Sequence, residues 1–456
     1  MKATVPSLTT TEDLRRVNAT RWAIAGALAP DSSALISSER RLRSYCGAPQ
    51  IARDSLDYMG VSSSLRFKGV GVDQDSLIPY NVCVDGGCMV QRILYLDGFR
   101  GLLAASVMMA HIVGGVTGWD KDMLFVGGYL AVDIFFILSG FVLTGALVAN
   151  SYRLWTFFWM RFWRLWPLHI VTILICVAVY EFNRYMGQYA PAGAIYDPVL
   201  LLKNVAFMMT MGIMEFPVIN PPSWSIGIEF WGSALILPLL VRLDPRLLLS
   251  LSGASYLFVA YFSGGLANAG EVFPFVSLGF VRGIAGMALG MALCKNQPRL
   301  NRWLESLHVQ WQLALVSLCF AFIASGILWQ KHGLLNFAVI VAVIPIMGVG
   351  AFRRLEGINS FLSSKPLVLL GDISFSLYLI HTPVLVLLRI PYVADNIGEV
   401  NAAIVLTAVC IMSATALHFG FGKPVEGAVK RYRKSAASGA PILTSLSGAI
   451  GQRQGA

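Results

Sequence analysis

His111 stands eleven residues after Arg100 in "RGLLAASVMMAH", within a stretch otherwise apolar enough to lie in a membrane. At 3.6 residues per turn that interval is nearly three whole turns. Both side chains therefore share one helix face, about 16 Å apart along the axis. An imidazole can take a proton near neutral pH or be acylated itself, and a guanidinium can hold a phosphate. Three more polar residues interrupt apolar runs: Asp133 in "YLAVDIFFILSGF", Glu229 in "PPSWSIGIEFWG" and His381 in "GDISFSLYLIHTP". A charge at the bilayer centre costs about 2.5–3.5 kcal/mol on insertion scales, so such residues face a protein interior or a wet cavity. Depths counted from the run ends put His111, Asp133, Glu229 and His381 at one level, in the outer half of the membrane. The expectation is a shared polar pocket, with Tyr378 as a further candidate for its wall.

Arg161 and Arg164, in "FFWMRFWRLWP", are three residues apart and share a face. Trp155, Trp159, Trp163 and Trp166 surround them, and alone the stretch reads as an interfacial aromatic belt with cytoplasmic arginines. Joined by Arg100 near the same face, the pair could instead grip an anionic phosphate group. The residues themselves leave catalysis and proton-coupled transport both open. A transporter would show internal repeats and matching broken helices, and the two halves of this chain have no such symmetry.

The elements that must hold these residues are membrane helices. Of 456 residues, 56% are hydrophobic and 13% charged, the mean hydropathy is +0.65, and a soluble domain carries about 25% charged residues. The net charge of +10 is not a nucleic-acid signal, because Lys and Arg fall in short loops between apolar runs, where they set topology. The runs are 96–116, 125–149, 162–181, 199–214, 223–243, 247–263, 275–294, 311–329, 334–352, 367–389 and 400–421. All but 199–214 approach the length needed to cross. Read as re-entrant or interfacial, 199–214 leaves ten spans. The basic segments Arg153–Arg164, Arg242–Arg246, Lys295–Arg302, Arg353–Lys365 and Lys423–Lys434 then share one side, which the positive-inside rule makes cytoplasmic. The fold expected is an all-α polytopic bundle with both termini cytoplasmic.

Residues 1–91 are polar, Ser- and Arg-rich, and are expected to be disordered. Met89 directly precedes the first span and reads as an alternative start. Residues 92–434 form the membrane domain and 435–456 a flexible tail. The seven cysteines form no metal-type cluster, so neither a metal nor an obligatory disulfide is expected. Gly98, Gly101, Gly140 and Gly371 are suited to close helix packing.

Five segments in order resemble the acyltransferase type 3 family of integral membrane O-acyltransferases. "YLDGFRGLLAASVMMAH" is similar to its opening Arg-x10-His motif, and "AVDIFFILSGFVLT" to its second-span signature. "RFWR" resembles its arginine pair, "PPSWSIGIEFW" its Trp-Ser…Glu segment and "GDISFSLYLIHTPV" its late Tyr-Leu-x-His segment. The likeness covers roughly residues 92–432. Two positions depart from it: Phe230 stands where many members carry a second acidic residue, and Gly422 stands where members often have Glu before Lys423-Pro424. The resemblance implies transfer of an acyl group, most simply acetyl, from cytoplasmic acyl-CoA to a hydroxyl of a cell-surface or exported carbohydrate. The implied setting is the bacterial inner membrane, with a carbohydrate or lipid-linked glycan as acceptor and no nucleic acid. Arg100, Arg161 and Arg164 would hold the donor's phosphates. His111 would act as general base or as a covalent acyl relay, with Glu229 orienting it or the acceptor. Some relatives carry a fused hydrolase-like domain, for which this chain has no room, so acceptor handling is expected to rest on the membrane domain or on partners. Acceptor identity and oligomeric state are not written in the sequence.

Overall fold

The computed structural model describes residues 81–84, 87–90, 92–118, 124–150, 154–187, 197–209, 219–267, 272–273, 276–329 and 333–438. The chain divides into two units, Met1–Gln74 and Asp75–Ala456, and the first lies wholly outside the described residues. So do most of the segment expected to be disordered and the tail beyond 438.

A hairpin of β1 (Asn81–Val84) and β2 (Gly87–Val90) precedes α1 (Leu94–Thr117), α2 (Leu130–Asn150) and α3 (Leu154–Tyr185). The short α4 (Pro198–Val205) leads to α5 (Ser223–Leu240) and α6 (Pro245–Ser263). A second hairpin of β3 (Val272–Phe273) and β4 (Val276–Ser277) opens α7 (Leu278–Lys295). Next come α8 (Gln297–Ser306), α9 (Val309–Trp329), α10 (Leu335–Ile346), α11 (Val349–Phe352) and α12 (Glu356–Leu362). The last described elements are α13 (Lys365–Leu388), α14 (Ile390–Ile397), α15 (Glu399–Leu417) and α16 (Lys423–Ser438), a π turn linking the final two. This is an all-α membrane bundle with two small β ribbons.

Among the described residues nine helices are long and apolar enough to cross a membrane: α1, α2, α3, α5, α6, α7, α9, α13 and the continuous stretch Glu399–Tyr432. Over its described part, residues 199–209, the run 199–214 is helical only within the eight-residue α4, which is about 12 Å long at 1.5 Å per residue and too short to span. The run 334–352 differs from a plain span. It holds the 12-residue α10, then breaks after Pro345 and Ile346 before α11 begins. A break frees backbone carbonyls that lipid cannot satisfy, and buried side chains from other helices accept that task. Tyr95 Oη donates to Ile346 O at 3.0 Å, Gln297 Nε2 to Met347 O at 2.5 Å and Gln312 Nε2 to Ala351 O at 2.8 Å.

Two close helix pairs frame the interior. On α1 and α13, a Cβ at Gly101 would overlap the Gly371 amide and one at Gly371 the Asp97 carbonyl, while one at Gly98 would overlap the Leu362 carbonyl at the end of α12. On α2 and α7, a Cβ at Gly140 would strike Met287 O and one at Gly290 would strike Ile137 O. These glycines let backbones touch where van der Waals packing, not hydrophobicity, drives association. Gly371→Ala should force α13 off α1 and lower stability by about 1–3 kcal/mol, the usual cost of overpacking. Thermal unfolding in detergent reads this directly, and an unchanged midpoint would show that the helices can separate at no cost.

Candidate active site

A cavity of about 400 Å³ lies between α1, α2, α3, α5, α13 and α16, a volume typical of small-molecule sites. Its walls are mostly apolar, with Phe135, Phe157 and Phe375 among them. Four cations, Arg100, Arg161, Arg164 and Lys430, line it alongside four acids, Asp97, Glu229, Asp372 and Glu426. The α3 sequence explains its share of the wall. Phe157, Met160, Arg161 and Arg164 follow each other at helical spacing on the face turned to the cavity. Trp155, Trp159, Phe162 and Trp166 build an aromatic ladder beside them, with ring centroids 5.4, 5.1 and 5.3 Å apart. Both readings of "FFWMRFWRLWP" thus have a structural counterpart, on different faces of one helix.

Arg100 occupies the end of the cavity where α1 and α13 begin. Its Nη2 donates to Gly371 O at 2.8 Å and lies 3.3 Å from Asp97 Oδ1, and its Nε donates to Ser374 Oγ at 3.1 Å. Arg92 bridges Asp97, at 2.5 Å, and Asp372. Burial alone would lower the Arg92 pKa, but the charges and hydrogen bonds of Asp97 and Asp372 raise it above the ordinary arginine value. This clamp ties the first turn of α1 to α13.

Deeper in, Arg161 is buried and ion-paired with Glu229, Nη2 to Oε1 at 2.7 Å, while its Nε donates to Ser233 Oγ at 2.8 Å. Ser139 Oγ donates to the same Glu229 oxygen at 3.2 Å. This corrects the expected depths, which put Arg161 at the cytoplasmic mouth and Glu229 at the outer level with His111. A long arginine stem brings its charge to a carboxylate that would otherwise be buried alone at high cost. A π segment, Gly232–Ile236, begins three residues after Glu229, with the Leu237 amide donating back to Gly232 O. Pro238 has no amide hydrogen to continue the α ladder, and such π segments often mark functional sites.

Tyr378 closes the inner wall. Its hydroxyl lies 2.7 Å from Ser225 Oγ, and its ring stands edge-on to His381 at 6.2 Å. His381 faces His111 with ring centroids 5.0 Å apart. Gly101 meets Gly371 and, ten residues further along both helices, His111 meets His381. The close glycine contact therefore sets the register of the histidines. Each imidazole points Nδ1 at the carbonyl four residues earlier on its own helix, His111 to Val107 O at 2.9 Å and His381 to Leu377 O at 3.0 Å. A carbonyl only accepts, so Nδ1 carries the proton in both rings and Nε2 carries the lone pair.

The structure does not gather the four polar residues into one pocket. It sorts them into pairs: His111 with His381, Glu229 with Arg161, and Asp133 with Arg282. His111, His381 and Asp133 do not line the cavity. Asp133 is bound at both oxygens by Arg282, at 2.7 and 2.5 Å, and the two side chains are 0% and 1% exposed. Arg282 Nη2 also donates to Tyr129 O at 2.8 Å, and its guanidinium sits 5.6 Å from the Trp224 ring. Sequence reasoning overlooked Arg282, although a lone arginine within "FVRGIAGMALG" bears the same insertion cost that singled out Asp133. Arg92 and Lys430 were missed because each lies outside an apolar run.

Fold and site together define a polytopic helical membrane enzyme with a charged cavity and, behind its inner wall, a histidine pair in which His381 is buried and His111 half-buried. The chain belongs to the acyltransferase type 3 family, whose acyltransferase-domain model matches residues 93–419. It is 28% identical over 325 residues to the acyltransferase MdmB of Streptomyces mycarofaciens, covering 64% of this chain and 79% of that protein. It is 26% identical over 321 residues to the peptidoglycan O-acetyltransferase OatA of Listeria monocytogenes, covering 64% of this chain and 49% of OatA. A further relative is the O-acetyltransferase OatA of Staphylococcus aureus, 25% identical over 366 residues, covering 71% of this chain and 56% of OatA. The chain thus spans about half the length of the OatA proteins. No solved structure matches it.

Proposed function

We propose that this protein moves an acyl group, most simply acetyl, from acyl-CoA to a hydroxyl of a cell-surface or exported carbohydrate, in the inner membrane of a bacterium. The observation that carries the reading is the alignment, along α1 and α13, of an arginine-bearing cavity with a histidine pair one wall further in. The acceptor hydroxyl attacks the thioester carbonyl, forming the new C–O bond as the C–S bond breaks. His111 Nε2 takes the hydroxyl proton and returns it to the departing thiolate, a role typically worth about 10²–10⁴-fold. The covalent variant has Nε2 attack first and hand the acyl group on. Arg164 attracts the donor's phosphates at the cavity rim, and Arg100, held by Gly371 O, Ser374 and Asp97, adds positive charge at the same end. Glu229 orients the donor arm or the acceptor while holding Arg161 in place.

Incubation of the purified protein with acetyl-CoA labelled in the acyl group tests the donor. Label transferred to a glycan, with release of free CoA, is the expected result. No CoA release under any acceptor would overturn the acyl-CoA reading.

The orientation proposed puts the cavity rim and both termini in the cytoplasm, on the side of the basic loops. An impermeant thiol reagent added outside should then label single cysteines placed at 390–399, and spare those at 244–246, 295–302 and 353–365. Outside labelling at 244–246 would reverse that assignment.

A further inference from the structure

We infer that Lys430 on α16 and Arg164 on α3 form the phosphate-binding rim of the cavity, so that the C-terminal helix is a working part of the donor site. The inference rests on the acyl-CoA reading and adds to it a helix beyond the stretch that the family model matches, which ends at residue 419, whereas α16 begins at Lys423. Glu426, Val429 and Lys430 are spaced three and four apart, share one helix face and line the cavity.

The state of the four cavity cations separates them. Arg161 is buried against Glu229 and Ser233, and Arg100 is bound to Gly371 O, Ser374 and Asp97. Both spend their donors on the chain's own acceptors. Arg164 is exposed and has no partner among the described residues. Lys430 has an ion pair with Glu426 one turn away, 3.3 Å long and about 40% exposed on both sides. Exposed pairs of this kind are the weakest and most easily exchanged. A phosphate ester or pyrophosphate, with more charge and more acceptor oxygens than a carboxylate, displaces Glu426 from the ammonium. The planar Arg164 fork and the mobile Lys430 point charge, one on each side of the rim, suit a group with several phosphates.

The same chemistry could come from an anionic lipid headgroup, and the test separates the two sources. The full chain is placed in nanodiscs of phosphatidylcholine, and binding of CoA and of pantetheine, which lacks the phosphates, is measured at equilibrium. Lys430→Glu should weaken CoA binding about tenfold or more, as expected for losing a charge-assisted hydrogen bond, and leave pantetheine binding unchanged. Lys430→Arg should keep most of the CoA affinity. Lys423→Glu makes the same charge change on the same helix, but Lys423 packs over the Phe419 ring at 4.9 Å and does not line the cavity. It should bind CoA as the wild type does. Wild-type CoA affinity in Lys430→Glu overturns the inference alone, and loss of co-purifying phosphatidylglycerol in that variant would then assign the rim to a headgroup. Equal losses in Lys423→Glu and Lys430→Glu also overturn it, since they would reflect a diffuse field. Absence of CoA binding by the wild type sinks the donor reading and this inference together.

Discussion

His111→Gln is expected to lower acyl transfer by about 10²–10⁴-fold, the usual contribution of a general base, with normal levels of protein in the membrane. Glutamine can still donate to Val107 O, the bond that His111 Nδ1 makes now, so the helix and its contact with α13 should persist. What glutamine lacks is a ring nitrogen that accepts a proton near neutral pH. His111→Ala should behave alike, because a small residue in an apolar span inserts readily. Acyl-labelled donor given without acceptor then separates the two chemistries: label retained by the wild type and lost in His111→Gln supports the covalent relay, and no label supports the base. Near-normal turnover by His111→Gln at wild-type expression would contradict both, leaving His111 a packing residue.

Arg282→Met and Asp133→Leu should each destabilise the fold by about 3–5 kcal/mol, the range for breaking a buried pair and leaving one charge alone. No solvent reaches either side chain, and Arg282 has few alternatives once Asp133 is gone, since its remaining contacts are Tyr129 O and aromatic faces. The double variant Asp133→Leu with Arg282→Met should recover most of the loss, because removing both charges removes the desolvation penalty with them. Thermal unfolding in detergent, compared across the three variants, measures the coupling. A double variant as unstable as the singles would show that the residues act through other partners. Full transfer activity in the stable double variant would place Asp133 outside the chemistry.

The membrane helices were legible because hydropathy over about 20 residues and the siting of Lys and Arg report directly on spans. The break inside 334–352 was not, since it depends on Gln297 and Gln312, which reach the freed carbonyls from α8 and α9. His111 and His381 were found as costly residues in apolar runs, and the parallel register of α1 and α13 makes them neighbours. Glu229 was found by the same logic, but its partner was not: depth counted from the ends of a run says nothing of how far an arginine stem reaches. Arg161 was therefore expected at the cytoplasmic mouth, and it lies deeper in the cavity wall, paired with Glu229. Arg282 carried the same signal as Asp133 and was overlooked. Lys430 carried none, because a lysine in a basic helix after the last span looks like any other topology signal.

The central claim is that this chain acylates a glycan through the His111–His381 pair. The most direct measurement is mass spectrometry of surface and exported glycans from a deletion strain, from the same strain given the wild-type gene, and from one given His111→Gln. The predicted result is an acyl mass on one glycan that disappears on deletion, returns with the wild type and stays absent with His111→Gln. Identical glycan masses in all three strains, with both proteins present in the membrane, would contradict it.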